Sequence, residues 1–312
     1  MALVECIANV SEGRDPAALE RFADAVRSVP GASLLDIHAD PDHHRSVFTF
    51  VGKRPAVEEA AYRVIVLAAA TIDLTRHRGV HPRIGAADVV PFVGLGGVPT
   101  GELVALARRL ALRLGREASL PSYLYGDAAT TAERRLLRVV RSGQFERLRV
   151  AARLDPARRP DAGPAELHPT AGAVAIGVRE PLVAWNVWLA NDDLAAAKGI
   201  AARVRESAGG LPGVQAMGVP LASRGVAQVS MNLTRPFECG PVEATERVMA
   251  LAAEAGAEVG RSELVGLVPA DLLDAEGADR ARLPEFGEQL LLEPAVERAT
   301  GLILPAGALR PA

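Results

Sequence analysis

Apolar positions fall in short blocks whose spacing alternates between strand-like and helix-like. LVECIANV, near the N-terminus, is a compact apolar run, and SEGRDP after it is a turn rich in helix-starting residues. From Ala17 to Val29, Leu19, Phe22, Ala23 and Val26 recur at steps of three and four, which predicts a helix with one buried face. Pro30-Gly31 closes it. ASLLDIHA and SVFTFVG read as strands on either side of the loop DPDHHR. Residues 56–74 predict a long helix, and AADVVPFVGL a further strand. The order is strand, helix, strand, strand, helix, strand.

The same order returns after residue 180. LVAWNVWL predicts a strand, and DDLAAAKGIAARVRES a helix with Leu194, Ala197, Ala201 and Val204 on one side. GVQAMGVPL and GVAQVSMNL are strands joined at Ser223-Arg224-Gly225, PVEATERVMALAAEAG is a helix, and AEVGRSELVGLVP ends in a strand. The halves share little residue identity, so topology repeats and sequence does not. The pattern predicts an α+β chain of two βαββαβ, ferredoxin-like subdomains, residues 1–180 and 181–312. The first carries extra helices near 101–116 and 131–141, then the Pro/Arg/Asp-rich stretch DPARRPDAGP. Split-βαβ sheets carry both helices on one face, so each leaves a second face open, and two such faces are expected to meet across a cleft.

One such face is legible in GVAQVSMNL. Ala227, Val229, Met231 and Leu233 alternate with Gln228, Ser230 and Asn232, so one side is apolar and the other polar but uncharged. Asn186 likewise interrupts an apolar strand. Neutral amides suit a partly wet cavity that hydrogen-bonds a polar ligand; alternation alone fits equally an edge strand facing water.

Composition narrows the class. Of 312 residues, 49% are hydrophobic, 23% charged and 4% aromatic, which suits two globular domains with aliphatic cores. No run approaches the roughly 18 apolar residues of a membrane span, and MALVECIANV lacks the basic start of a signal peptide. Cys6 and Cys239 have no metal-ligand spacing and are expected to be reduced thiols in a cytoplasmic protein. A net charge of −3 gives no general attraction for nucleic acid or an anionic membrane. The basic run RLLRVVRSGQFERLRVAARLDPARR reads as a solvated helix face, with a docking surface for a polyanionic tail as the alternative.

Candidate chemistry concentrates in the first half. All six histidines, His38, His43, His44, His77, His81 and His168, precede residue 170. Imidazole is the side chain most easily poised for proton transfer near neutral pH. In TRHRGVHPRIGAADVV, Gly79, Pro82 and Gly85 forbid regular helix, so His81 sits in a constrained loop, with Arg83 two residues on and Asp88 able to orient the ring. Glycine between His77 and His81 also argues against a helical metal pair. HADPDHHR offers metal-ligand types, yet a polar turn explains Asp-Pro-Asp equally well. GLGGVPTGE lacks a lysine, and Pro99 takes the place of a third glycine, so a tight turn accounts for it better than a phosphate loop. In DAGPAELHPTAGAVAIGVRE the glycines and prolines allow close approach to a flat ligand, and Arg179 can pair with a carboxylate. An inter-domain linker is the plainer account of that stretch.

These segments together resemble glutamate formiminotransferase. The matching blocks are VECIANVSEGRD, LLDIHADPDHHRSVFTFVG, IDLTRHRGVHPRIGAADVVPF, LPSYLYGDAA, DAGPAELHPTAGAVAIGVRE, AWNVWL, VAQVSMNL and SELVGLVP, in family order along almost the whole length. HPRIGAADV is the most diagnostic. No cyclodeaminase segment follows Ala312, so the resemblance is to the stand-alone transferase. It implies transfer of a formimino group from N-formiminoglutamate to tetrahydrofolate as co-substrate, without a metal, by a homodimer with His81 as the catalytic histidine. It implies a folate site along Gly163, Pro164, Ala165, Glu166, Leu167, His168, Pro169, Thr170, Ala171 and Gly172. Arg45, Arg83 and Arg179 become candidate carboxylate anchors, and Asn186, Gln228, Ser230 and Asn232 candidate binding groups. The sequence departs from its relatives at His38 and His44, where they tend to carry Asp and Asn, and at Ala171, where the fused enzymes carry a bulkier residue. Rival expectations are a formyl donor, N-formylglutamate, a folate-binding protein without catalysis, and a metal-dependent hydrolase.

Overall fold

The computed structural model describes residues 2–305 and 307–310. The chain divides into two compact units, Met1–Arg179 and Glu180–Ala312.

In the first unit the predicted order appears as β1 (Leu3–Val10), α1 (Pro16–Arg27), β2 (Ala32–Asp40), β3 (Arg45–Gly52), α2 (Arg54–Thr71) and β4 (Ala87–Leu95). Asp15 starts α1 by accepting a hydrogen bond from the Ala17 N–H at 2.9 Å, with Pro16 at the first helical position. After β4 the chain continues through α3 (Thr100–Ala118), β5 (Ser122–Gly126), α4 (Leu137–Val140), α5 (Gln144–Leu154) and β6 (Val174–Val178). The six strands lie in the order β2-β3-β1-β4-β6-β5. β1 to β4 pair antiparallel, while β6 pairs parallel with both β4 and β5.

Two expectations are corrected here. The ferredoxin-like unit is extended by two parallel strands: β5, from a stretch given no element in the sequence, and β6, from the stretch that read as a linker. The predicted helix over 131–141 is broken: a 3-10 turn at Glu133–Arg135 is followed by the four residues of α4, and Gly143 at φ 89° separates these from α5. α1, α2 and α3 bury Phe22, Val26, Ile65, Leu106 and Leu110 against one sheet face, where Val4, Cys6, Phe48, Phe50 and Phe92 point. The opposite face is not wholly open. Val89, Tyr123, Tyr125 and Ala175 are covered by Val140, Phe145 and Leu148 from α4 and α5. Parallel strands need cover on both faces, and that need explains the extra helices.

The second unit comprises β7 (Val183–Leu189), α6 (Leu194–Val204), β8 (Val214–Leu221), β9 (Val226–Leu233), α7 (Pro241–Glu254), β10 (Val259–Val265), α8 (Ala275–Arg280) and α9 (Leu292–Thr300). Its sheet order, β10-β7-β9-β8, repeats the relation of β4, β1, β3 and β2. Val183, Trp185, Val187, Val229 and Met231 face the helices, with Ile200 and Val248. Within that core the buried Trp185 indole donates to Thr245 Oγ1 at 2.9 Å, and that hydroxyl donates to the Pro241 carbonyl at 2.8 Å. Replacing Thr245 by Val keeps the shape and orphans a buried N–H, so unfolding in urea should show a loss of about 1–3 kcal/mol. Unchanged stability would contradict this.

Candidate active site

The His81 loop is fixed by its neighbours before any ligand is considered. The Val80 N–H donates to the Asp42 carbonyl at 3.1 Å, and Ser11 Oγ donates to the Gly85 carbonyl at 2.7 Å. The Ala86 N–H donates to the Ala171 carbonyl at 2.8 Å, and the Ala173 N–H to the Ile84 carbonyl at 3.0 Å. A Cβ on Gly79 would stand 2.2 Å from the His43 carbonyl oxygen, so only glycine lets the loop lie on that backbone. Gly172, at φ 71°, would place a Cβ 2.0 Å from the Ile84 carbonyl oxygen.

His81 is half-buried, with Nδ1 2.8 Å from the Pro82 carbonyl oxygen. The Pro82 carbonyl only accepts, so we assign the proton to Nδ1 and the lone pair to Nε2, the nitrogen to which Arg45 then donates. Arg45 Nη1 lies against the ring edge, 2.6 Å from Nδ1 and 3.0 Å from Nε2. Asn9 Oδ1 accepts from Arg45 Nε at 3.1 Å and also from Nη2. Asp88 does not bond the imidazole. Its Oδ1 accepts from the Ile84 N–H at 2.8 Å, and its Oδ2 lies 3.5 Å from Arg45 Nη1 and closer to Arg141 Nη2. The carboxylate therefore acts on the ring through Arg45, a correction to the direct contact expected.

Electrostatics follow from this crowding. Burial first, then Arg45, Arg141 and His43, hold His81 well below the ordinary histidine value. The His43 ring centroid is 5.8 Å away. Arg45 is pushed down to about 9 by burial and by Arg141, against Asp88, and stays charged at neutral pH. His81 is thus a neutral base among cations.

The other predicted residues distribute unevenly. Arg83 is buried, and its guanidinium meets both Glu146 oxygens, at 3.1 and 2.8 Å, and His77 Nδ1 at 3.1 Å. Reaching a substrate carboxylate would require giving up that pair, and in this geometry Arg83 anchors its loop to α5. Arg179 hydrogen-bonds the Tyr125 hydroxyl. Gly163, at φ 81°, is pinned against Gly115 of α3 and the Leu120 carbonyl. Pro164, Ala165, Glu166 and Pro169 are exposed, Glu166 pairing with Arg153 at 2.7 Å. Leu167 and Ala171 are core residues, so the departure at 171 is a packing change. His168 and Thr170 are half-buried, and His168 Nδ1 accepts from the Ala171 N–H at 3.0 Å. The run 163–172 is thus a strap pinned at both ends, with its middle exposed.

His44 stacks on His77 at 4.3 Å between ring centroids, and burial with the His77 charge pushes it down to about 4. Its φ of 49° is left-handed, a conformation that Asn also adopts readily. Asp40 Oδ1 accepts from the His43 N–H at 2.7 Å, a turn closure. Among the described residues no group of three or more His, Cys, Asp or Glu side chains has metal-holding geometry.

Asn186, Gln228, Ser230 and Asn232 lie on one face of the second unit's sheet, Asn186 opposite Ser230. Glu263, which the strand pattern did not mark, joins them: its Oε2 accepts from Asn186 Nδ2 at 3.0 Å, Gln228 Nε2 at 3.3 Å and Trp188 Nε1 at 3.4 Å. Arg261 and Arg224 stand 4.2 and 4.9 Å from the Trp188 ring centroid. Sequence reasoning also missed Asn9 and Arg141. Asn9 shares the period-two face of Glu5, whereas the basic run hid Arg141.

The chain is a duplicated split-βαβ protein whose first unit holds a histidine beside two guanidiniums. The family model described as formiminotransferase domain, N-terminal subdomain, matches residues 3–179, and that described as formiminotransferase domain matches 184–279. The glutamate formimidoyltransferase of Streptococcus pyogenes is 42% identical over 271 residues, covering 87% of this chain and 90% of that protein. That of Thermoplasma acidophilum is 40% identical over 304 residues, covering 97% and 100%. The formimidoyltransferase-cyclodeaminase of Sus scrofa is 40% identical over 281 residues, covering 88% of this chain and 51% of the fused protein. The chain belongs to the formiminotransferase family.

The depressed proton affinity of His81 has a sign that stability measurements can read. An unfolded imidazole binds its proton near pH 6.5, and folded His81 only well below that. Stability is therefore full above pH 6.5 and falls as pH drops toward the folded value. His44 and His77 act in the same direction, so a difference isolates His81. Urea unfolding between pH 6.5 and 5 should fall more steeply for wild type than for His81→Gln, by up to about 1.4 kcal/mol per pH unit. Parallel curves would show an unperturbed ring.

Proposed function

We propose that this chain transfers the formimino group of N-formiminoglutamate to tetrahydrofolate, giving 5-formiminotetrahydrofolate and glutamate. The observation that carries the reading is the neutral His81, its Nε2 lone pair beside Arg45 in the loop that the strap 163–172 abuts. The names of the bacterial and archaeal relatives support the donor and the reaction class.

N5 of tetrahydrofolate attacks the amidine carbon, forming the new C–N bond and a tetrahedral adduct. His81 Nε2 takes the N5 proton and then gives it to the glutamate nitrogen as the old C–N bond breaks. One proton serves both steps, so the ring ends as it began. Arg45 holds the imidazole in register and discourages premature protonation. The exposed middle of the strap, Pro164 to Glu166, is proposed to border the pterin, with His168 and Thr170 near its pinned end. Tyr125-bound Arg179, the amides Asn186, Gln228 and Asn232 and the Ser230 hydroxyl are proposed as binding groups. Holding both substrates together supplies much of the acceleration, since attack becomes effectively intramolecular.

The same reading takes the protein as a cytoplasmic homodimer that binds folate. Both cysteines are free and buried, and among the described residues no helix is long and apolar enough to cross a membrane. His81→Ala should lower kcat by about two to four orders of magnitude while calorimetric affinity for tetrahydrofolate stays within about twofold. Full turnover by that variant would remove His81 from the role.

A further inference from the structure

Asp88 is shared by two guanidiniums. Arg141 Nη2 meets its Oδ2, and Arg45 Nη1 stands 3.5 Å from the same oxygen. The side chains of Arg45, Arg141 and Asp88 are 17%, 13% and 2% exposed. Two cations against this one carboxylate leave a positive charge over in a largely desolvated place, and the neutral His81 does nothing to offset it. Arg141 Nε is buried and has no hydrogen-bond partner. Buried N–H donors are seldom left so.

Neighbouring arginines are spent on the protein itself. Arg83 pairs with Glu146, and Arg134 pairs with Asp161 at 2.6 Å and donates to the Ala157 and Arg159 carbonyls. Arg158 donates to the Val139 carbonyl at 3.0 Å and the Ser142 carbonyl at 2.8 Å. Those two carbonyls flank Arg141, so the backbone that carries it is held from both sides.

We propose that Arg141 binds a carboxylate of the amino-acid donor, completing with Arg45 a two-guanidinium cradle over Asp88 beside His81. The proposal rests on the formimino-transfer reading for the identity of the donor. A planar guanidinium fork matches a carboxylate, whose single negative charge removes the excess. A carboxylate there also offsets Arg45 and Arg141, two of the charges that hold the His81 ring unprotonated. The base therefore strengthens only when the donor is in place.

The test is calorimetric titration of L-glutamate into wild type, Arg141→Gln and Arg141→Lys, with folding checked by circular dichroism and tetrahydrofolate affinity measured in parallel. Wild type should bind glutamate, Arg141→Gln about tenfold or more weakly, and Arg141→Lys in between, with tetrahydrofolate affinity unchanged. In turnover, Arg141→Gln should raise KM for N-formiminoglutamate by a similar factor and leave KM for tetrahydrofolate alone. Equal glutamate affinity in wild type and Arg141→Gln, no glutamate binding by wild type, or equal loss of both ligands would each overturn the cradle. Arg141-dependent glutamate binding without formimino transfer by wild type would leave the cradle standing and sink the functional reading instead.

Discussion

A charged guanidinium laid along the edge of an imidazole is the constraint to which the first unit answers. Arg45 is held in that place by Asn9, which accepts from its Nε and Nη2, and by Asp88, 3.5 Å from the Nη1 that faces the ring, and both come from strands adjacent in the sheet. The ring can accept such a neighbour only while neutral, because a second positive charge at that distance is repelled. The Pro82 carbonyl, which only accepts, favours the proton on Nδ1. Glycines that admit no Cβ press the loop onto the turn at His43 and onto the strap ending at Gly172, so the imidazole has little room to swing.

Much of this frame was legible in residue periodicity. The βαββαβ order of both units follows from three- and four-residue steps in the helices and compact apolar runs in the strands. β5 and β6 were not legible, because each has five residues and is flanked by the prolines and glycines that mark loops. The basic run also misled. Its arginines look alike in sequence, yet Arg141, capping one short helix, reaches Asp88, while Arg147, Arg149 and Arg153 of α5 meet solvent.

The site shows the same division. HPRIGAADV announces a rigid loop carrying a histidine, because glycine and proline restrict the backbone whatever surrounds them. Which arginine attends the ring is a matter of sheet register and long-range partners. Arg83, two residues from His81, turns away to Glu146, 63 positions later, and Arg45, 36 positions earlier, takes the ring. In the second unit alternation revealed the polar face of β9. The carboxylate at its centre, Glu263, was hidden because a glutamate among Ser, Leu and Val is equally at home on a solvated edge.

The central claim is that His81 works as a neutral base with its lone pair on Nε2. Nitrogen-15 NMR of ring-labelled protein at pH 7, with the signal assigned from its absence in His81→Ala, reads both ring nitrogens directly. The account predicts a protonated Nδ1 and a bare Nε2. An imidazolium, or a neutral ring with its proton on Nε2, would contradict it.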